Sequence, residues 1–200
     1  MGQIVWAGAT SHTAAMFREP PEGEDNERAK RVFAAFDDLG ANLRAADVDV
    51  IVVIATDHFQ TFTYDTLPIF AIGTGDTFGA WAEFGVPDRT FHGNAPFGDA
   101  VHRGLIQKGF DAVGARDMRI DHAFACPLQF MMKDWDLPIL PIYVNCTIPP
   151  LPTPARCRAF GEALGDVLRE QSAAKRVAVL GTGGLSHSVG TPRTGIINQA

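Results

Sequence analysis

Three of the six histidines in this sequence lie shortly after apolar segments that are predicted to be strands. His12 follows the first such segment, His58 the second and His187 the last. Ligands of an open parallel sheet bind beyond the carboxyl ends of its strands, so imidazoles placed there by three separate strands could meet at one point. Imidazole binds iron, zinc, copper and nickel, and two imidazoles with one carboxylate suit ferrous iron. The spacing therefore predicts a metal centre.

Each of these histidines, taken alone, is equally well interpreted as a hydrogen-bonded loop or core residue. It is their shared position after strands that favours a common site. His92 lies in a glycine-rich segment and His102 in a predicted helix with polar neighbours, so both are interpreted as ordinary structural residues.

Two aspartates directly precede histidines, in the pairs Asp57-His58 and Asp121-His122. A carboxylate beside an imidazole fixes which ring nitrogen is left for a metal. Adjacent residues of an extended chain point in opposite directions, so Asp57 could serve a partner other than His58. The alternative for both carboxylates is the capping of a helix or a turn.

The elements that would position these side chains alternate along the chain. Apolar runs predict strands at 3–9, 48–55, 137–145 and 176–180, and three- and four-residue spacings predict helices at 24–46, 96–109 and about 154–173. This alternation predicts an α/β fold with a mostly parallel central sheet flanked by helices. Pro138 and Pro141 predict that the strand at 137–145 is irregular or lies near an edge of the sheet.

The segment 60–95 is rich in glycine and is predicted to form long loops with short strands. Long loops in a compact domain are often functional. Aromatic residues in and beside it could form the wall of a flat apolar pocket, although ordinary core packing explains each of them equally well: Phe59, Phe62, Tyr64, Phe78 and Trp81.

The composition narrows the classes of function. A length of 200 residues predicts a single domain, and a net charge of −6 argues against nucleic acid as a partner. The sequence has no apolar stretch long enough to span a membrane and no basic leader typical of a secretory signal. Three widely spaced cysteines without a CxxC pair predict reduced thiols and a cytoplasmic location: Cys126, Cys146 and Cys157.

Four segments, in this order and spacing, resemble those of the class III (LigB-like) extradiol ring-cleavage dioxygenases. They are Ser11-His12, Thr56-Asp57-His58-Phe59, Asp121-His122-Ala123-Phe124-Ala125-Cys126-Pro127-Leu128 and Gly183-Gly184-Leu185-Ser186-His187. Each segment alone is a weak signal, but the four together are specific. The resemblance implies a single LigB-like domain over residues 1–200 that uses Fe(II) and O₂ to open the ring of a catechol-type substrate, in a homo-oligomer.

The resemblance also implies a role for each matching residue. His12 and His58 would be the neutral imidazole ligands of Fe(II). His187 would be the base that helps to deprotonate the catechol, and His122 a second acid or base for the later rearrangement. Asp121 would orient a neighbouring imidazole.

The sequence departs from the family in one respect. The family's third metal ligand is a Glu in the C-terminal part of a longer chain, and no Asp or Glu follows Glu170 here. We therefore expect a chain truncated at its C-terminal side, with little or no dioxygenase activity by itself. Two alternatives remain open: a zinc-dependent relative, and a catalytically inactive relative that acts as a binding module. The presence of both His122 and His187 favours an enzyme.

Overall fold

The computed structural model describes residues 1–17, 24–184, 192 and 196. Within these residues the strands are β1 (Gln3–Thr10), β2 (Val50–Ala55), β3 (Phe70–Gly73), β4 (Thr77–Gly79), β5 (Thr90–His92), β6 (Val113–Ala115), β7 (Ile139–Val144) and β8 (Arg176–Thr182). The helices are α1 (Glu24–Ala45), α2 (Ala95–Gln107), α3 (His122–Met131) and α4 (Pro154–Glu170), with short 3₁₀ turns at Ala14–Phe17 and Glu83–Gly85.

Six strands form the central sheet in the order β1-β8-β2-β7-β3-β6. All neighbouring strands in it are parallel except β3 and β7, which are antiparallel. The strands β4 and β5 pair as a separate antiparallel ribbon within the glycine-rich segment. The prediction of an α/β fold with a mostly parallel sheet is therefore confirmed.

Both faces of the sheet are covered by helices. Ile51 and Val53 of β2 face a core shared with α1 and α3, whereas Val50 and Val52 face a second core shared with α2 and α4. Alternate residues of a strand point to opposite faces, so a strand covered on both sides must be apolar throughout. This explains the continuous apolar run of β2 in the sequence.

Of the two outcomes predicted for the proline-containing strand, irregularity or a position near an edge, the second is wrong. β7 lies inside the sheet, between β2 and β3. Its ladder with β3 begins at the pair Ile72–Ile142, beyond Pro141, so the missing N–H of that proline falls outside this ladder. Gly73 makes room for the ring, because a Cβ there would lie 2.5 Å from Cγ of Pro141. Pro138 precedes the strand and contributes its carbonyl, which accepts a 2.9 Å bond from the Ile51 amide.

Within the part of the chain that is described, no helix is both long and apolar enough to cross a membrane. All three cysteines are free thiols.

Close packing of α1 on α3 depends on Gly40, where an added Cβ would lie 2.3 Å from the carbonyl oxygen of Met131. We predict that Gly40→Ala lowers the free energy of unfolding by about 2 kcal/mol, the usual size of an overpacking penalty. Urea denaturation followed by circular dichroism measures this change.

Gly161→Ala is the matched control, because a Cβ at this position of α4 would have no atom within 4 Å apart from its chain neighbours and the backbone of its own helix. It should raise the free energy of unfolding by about 0.5–1 kcal/mol through the better helix propensity of alanine. Equal effects of the two substitutions would contradict this account of helix packing.

Candidate active site

His12 and His58 lie at the same rim of the sheet. His12 follows β1 by two residues and His58 follows β2 by three, and both strands pair in parallel with β8. The carboxyl ends of parallel strands point the same way, so the two residues emerge side by side. Their ring centroids are 5.3 Å apart, in an edge-to-face arrangement.

A third imidazole, that of His122, reaches the same point from α3. Its ring stacks on that of His58 with a centroid separation of 4.1 Å, and it lies 5.9 Å from the ring of His12. His122 is the first residue of α3, not the end of a strand; the extended part of this segment is Ile120, which forms an isolated bridge with Ala80.

The Nδ1 atom of His12 lies 3.0 Å from Oγ1 of Thr182, at the end of β8. The same hydroxyl donates its proton to the carbonyl of Ala123 at 2.9 Å. A hydroxyl has one proton to give, so towards His12 it must act as the acceptor. This leaves the hydrogen of the neutral imidazole on Nδ1 and the lone pair on Nε2.

His58 is held by the fully buried carboxylate of Asp121. Oδ2 of Asp121 accepts bonds from Nδ1 of His58 at 2.8 Å and from its backbone N–H at 2.7 Å. Oδ1 accepts the backbone N–H of Ala123 at 2.9 Å and so caps α3. One carboxylate therefore orients an imidazole and begins a helix.

His122 has the corresponding partner in Glu83. Oε1 of Glu83 accepts bonds from Nδ1 of His122 at 2.9 Å and from its backbone N–H at 2.7 Å. Sequence reasoning missed Glu83, since nothing in the pattern of a single sequence connects it with a histidine 39 residues away. It lies in the 3₁₀ turn of the glycine-rich segment, the part of the chain that was expected to form long loops.

Asp57 does not bond to the ring of His58. Its carboxylate accepts the backbone N–H groups of Gln60, Thr61 and Phe62, at 3.0 to 3.2 Å, and thereby closes a turn. Burial raises the pKa of this carboxyl, against the lowering effect of the hydrogen bonds from Thr61 and Phe62.

The pKa of His58 is raised above its ordinary value of 6.5. Burial by itself would lower this pKa, because it disfavours the charged imidazolium. The hydrogen bond and negative charge of Asp121 raise the pKa and outweigh the effect of burial. The negative charges of Asp57 and Glu83 raise the pKa further. The site is thus an acidic environment that favours a positive charge.

This arrangement suits a divalent metal ion. Ligand atoms of His58, Asp121 and His122 lie within 4.8 Å of one another. Both oxygens of Asp121 already accept hydrogen bonds, so its carboxylate acts better as the partner of a ligand than as the ligand. A carboxylate that bonds the far nitrogen of a histidine is the usual outer support of a metal-bound imidazole.

Of the remaining three histidines, two lie apart from these imidazoles and one lies outside the described residues. His187 lies outside the described residues. His102 donates from Nε2 to the carbonyl of Ala112 at 2.8 Å when that nitrogen carries the hydrogen, which is an ordinary structural role. His92 lies on β5 with an exposed side chain.

The aromatic residues of the glycine-rich segment divide between core and surface. Phe62 and Phe78 are buried core residues, whereas Tyr64 is 78% exposed. Phe59 packs against Tyr64 with ring centroids 4.9 Å apart. Trp81 lies under the guanidinium of Arg119, and its indole N–H donates to Thr61, so these contacts account for its position.

Phe84 is an aromatic neighbour that sequence reasoning did not identify. It is 59% exposed, and its ring meets that of His122 edge to face at 5.6 Å. Its φ of 55° and the φ of 65° at Phe59 lie in the left-handed region, which is unusual for bulky residues. The two residues directly follow Glu83 and His58, so two of the three non-glycine residues with positive φ in the described part of the chain adjoin residues of this site.

We predict that Asp121→Asn lowers the pKa of His58 in the metal-free protein, because asparagine removes the charge that outweighs burial. An NMR titration of the His58 ring measures it, and Asp99→Asn, which alters an exposed ion pair with Arg116, is the control that should leave it unchanged. An unchanged pKa in Asp121→Asn would contradict the assigned partner.

The raised pKa of His58 also has a stability consequence. Because the pKa of His58 is above 6.5 in the folded state, protonation of His58 increases the free energy of unfolding. This contribution is fully present below about pH 6.5 and is lost as the pH rises through the folded-state pKa. Asp121→Asn should remove this part of the pH dependence of unfolding.

Comparison with known proteins assigns the chain to a family. A family model described as the catalytic LigB subunit of aromatic ring-opening dioxygenase matches residues 7–199. The chain is 34% identical over 183 residues to 2,3-dihydroxyphenylpropionate/2,3-dihydroxicinnamic acid 1,2-dioxygenase of Klebsiella pneumoniae subsp. pneumoniae, covering 91% of this chain and 56% of that protein.

Two further relatives carry the same activity in their names. A form from Pseudomonas putida is 37% identical over 183 residues, which cover 91% of this chain and 56% of that protein. One from Photorhabdus laumondii subsp. laumondii is 34% identical over 193 residues, which cover 93% and 57%. The chain thus spans little more than half the length of these relatives. By its sequence and its match to the family model, the chain belongs to the LigB family of aromatic ring-opening dioxygenases.

Proposed function

We propose that this chain forms the imidazole site of a non-haem Fe(II) extradiol dioxygenase that opens the ring of a catechol-type substrate with O₂. The observation that carries the proposal is the meeting of His12, His58 and His122, each with a hydrogen-bond acceptor at its Nδ1 atom. Such bonds direct the Nε2 lone pair of a neutral imidazole away from the acceptor, as metal ligation and proton transfer require.

In this proposal His12 and His58 hold the metal through Nε2. When bound, Fe(II) supplies a Lewis acid that favours the ionised diol and the redox chemistry that reaction with O₂ requires. The acidic environment around His58 suits a dication, because the negative charges that favour an imidazolium favour a metal ion equally. Asp121 keeps the His58 ring in place.

His122 is the proposed acid or base beside the metal. With Nδ1 bonded to Glu83, its Nε2 can take a proton from a substrate hydroxyl and return it later in the reaction. His187 is the proposed second base, as the family resemblance implies. A catechol hydroxyl scarcely ionises at neutral pH, so a base at the diol is needed in addition to the metal.

The names of the relatives make 2,3-dihydroxyphenylpropionate the first substrate to test, with unsubstituted catechol as the comparison. Cleavage beside the diol would give a yellow semialdehyde-type or related keto-acid product. A cytoplasmic location, a homo-oligomeric assembly and a single domain over residues 1–200 stay predictions.

Metal binding tests the first part of the proposal. We predict that His12→Ala and His58→Ala each weaken Fe(II) binding by more than about 100-fold, beyond the usual effect of losing an outer partner of a ligand. Anaerobic equilibrium dialysis with metal analysis measures this. The control is His92→Ala, on an exposed side chain of β5, and it should bind Fe(II) as the unaltered chain does.

Two results would contradict the proposal. Undiminished Fe(II) binding by His12→Ala and His58→Ala would place the ion elsewhere. Ring opening by the zinc-loaded chain and not by the Fe(II)-loaded chain would favour the zinc-dependent alternative, because relative affinity alone does not identify the native metal.

Ring opening tests the second part. The described carboxylates near the imidazoles are already engaged, since Asp121 and Glu83 each bond a histidine Nδ1 and Asp57 accepts backbone N–H groups. Two imidazoles alone leave the full charge of the metal uncompensated. We predict slow formation of yellow product by the Fe(II)-loaded chain and faster formation when acetate supplies an external carboxylate. His122→Ala and His187→Ala should lower the rate by about 100-fold or more while the metal stays bound.

Absorbance in the visible range after addition of substrate and air measures the product. A chain that binds both Fe(II) and the catechol but forms no ring-opened product, with or without acetate, would contradict the proposed activity and favour a binding module.

A further inference from the structure

The same hydrogen-bond pattern occurs twice in the site. Asp121 receives both the backbone N–H and the Nδ1 hydrogen of His58 on one oxygen, and Glu83 receives both from His122. We propose that Glu83 is the positioning residue of His122: it holds the ring against His58 and keeps the hydrogen of the neutral imidazole on Nδ1, so that Nε2 faces the reaction. This inference rests on the proposed function for the role of His122.

Two contacts to the same residue fix the ring more firmly than one. The His122 amide is at the first position of α3, where a helix leaves its N–H without a partner in the helix. Glu83 supplies that partner and bonds the ring of the same residue. The imidazole is thereby tied to the backbone from which it projects, which restricts both of its side-chain torsions.

The described hydrogen bonds of the Glu83 carboxylate are both to His122. Its side chain is 13% exposed, and its second oxygen, Oε2, is buried with no hydrogen-bond partner among the described residues. A buried oxygen without a partner costs free energy, and such groups persist where another requirement outweighs that cost. Here the bonds to His122 are the contacts that hold the carboxylate in place.

The backbone around Glu83 forms a tight turn that orients its side chain. Phe84 has a φ of 55° and Gly85 a φ of 87°, so two successive residues adopt the left-handed region. The amide of Glu83 bonds the Trp81 carbonyl at 2.6 Å, and its own carbonyl accepts the amide of Val86 at 2.9 Å. This tight turn directs the Glu83 side chain to α3 and the Phe84 ring to the edge of His122.

The consequence for the chemistry follows from the two forms of a neutral imidazole. With hydrogen on Nδ1, Nε2 accepts a proton; with hydrogen on Nε2, it does not. Without an acceptor at Nδ1, His122 would populate both forms and its ring would be free to turn away from His58. Loss of Glu83 should therefore lower turnover more than substrate affinity.

The experiment compares Glu83→Leu, which removes both acceptor oxygens at similar volume, with Glu83→Gln, which keeps one. The matched control is Glu162→Leu, at an exposed position of α4 that pairs with Arg158. The first readout is the ¹⁵N NMR spectrum of the His122 ring in the metal-free chain, which reports the nitrogen that carries hydrogen and does not depend on activity.

We expect hydrogen on Nδ1 of His122 in the unaltered chain, in Glu83→Gln and in Glu162→Leu. In Glu83→Leu the form with hydrogen on Nε2 should become substantially populated. The second readout is ring opening by the Fe(II)-loaded chain with acetate: kcat should fall by at least about tenfold in Glu83→Leu, with KM changed by less than about threefold, and be largely restored in Glu83→Gln.

Hydrogen on Nε2 of His122 in the unaltered chain would overturn the inference without any variant, as would an unchanged spectrum in a folded Glu83→Leu chain. Equal turnover of Glu83→Leu and the unaltered chain would also overturn it. If the Fe(II)-loaded unaltered chain opens no ring even with acetate, the proposed function fails, whereas the NMR result still decides whether Glu83 positions His122.

Discussion

A single buried carboxylate joins the parts of the site. Asp121 accepts the ring and backbone N–H of His58 on one oxygen and the helix amide of Ala123 on the other. It thereby connects the loop after β2 with the beginning of α3, two segments that lie far apart in the sequence. Burial of a carboxylate costs free energy unless its oxygens are bonded, so these three contacts offset the burial of Asp121.

The sheet provides the second constraint. β1 and β2 both pair in parallel with β8, which fixes His12 and His58 at one rim. Thr182, at the end of β8, bonds His12 and the carbonyl of Ala123 in the first turn of α3. The sheet, the loop after β2 and the first turn of α3 thus form one hydrogen-bonded network around three imidazoles, and the strained residues Phe59 and Phe84 lie at its margin.

Features that depend on local sequence pattern, such as strands, helices and the residues at strand ends, can be predicted from the sequence. The apolar run of β2 and the alternation of strands and helices predict the sheet, and the placement of His12 and His58 after strands predicts that they meet. The position of β7 is not predictable in this way, because whether Pro141 is tolerated inside the sheet depends on where the ladder with β3 begins.

The hydrogen-bond partners show the same limit. Asp57 and Asp121 occupy identical positions before a histidine, yet Asp57 closes a turn and Asp121 orients a histidine from another segment. Thr182 and Glu83 lie 170 and 39 residues from the imidazoles they bond, and a single sequence carries no signal for such pairs. Local pattern predicts that His12 and His58 lie close together, whereas the residues that orient the imidazoles follow from the fold.

The most direct test of the account is the number of imidazoles on one bound ion. X-ray absorption of the Fe(II)-loaded chain distinguishes imidazole nitrogen from other light ligands by the scattering of the outer ring atoms. The account predicts one iron per chain with imidazole ligation that loses one ring in His12→Ala and one in His58→Ala. An iron that keeps the same imidazole scattering in both variants would contradict it.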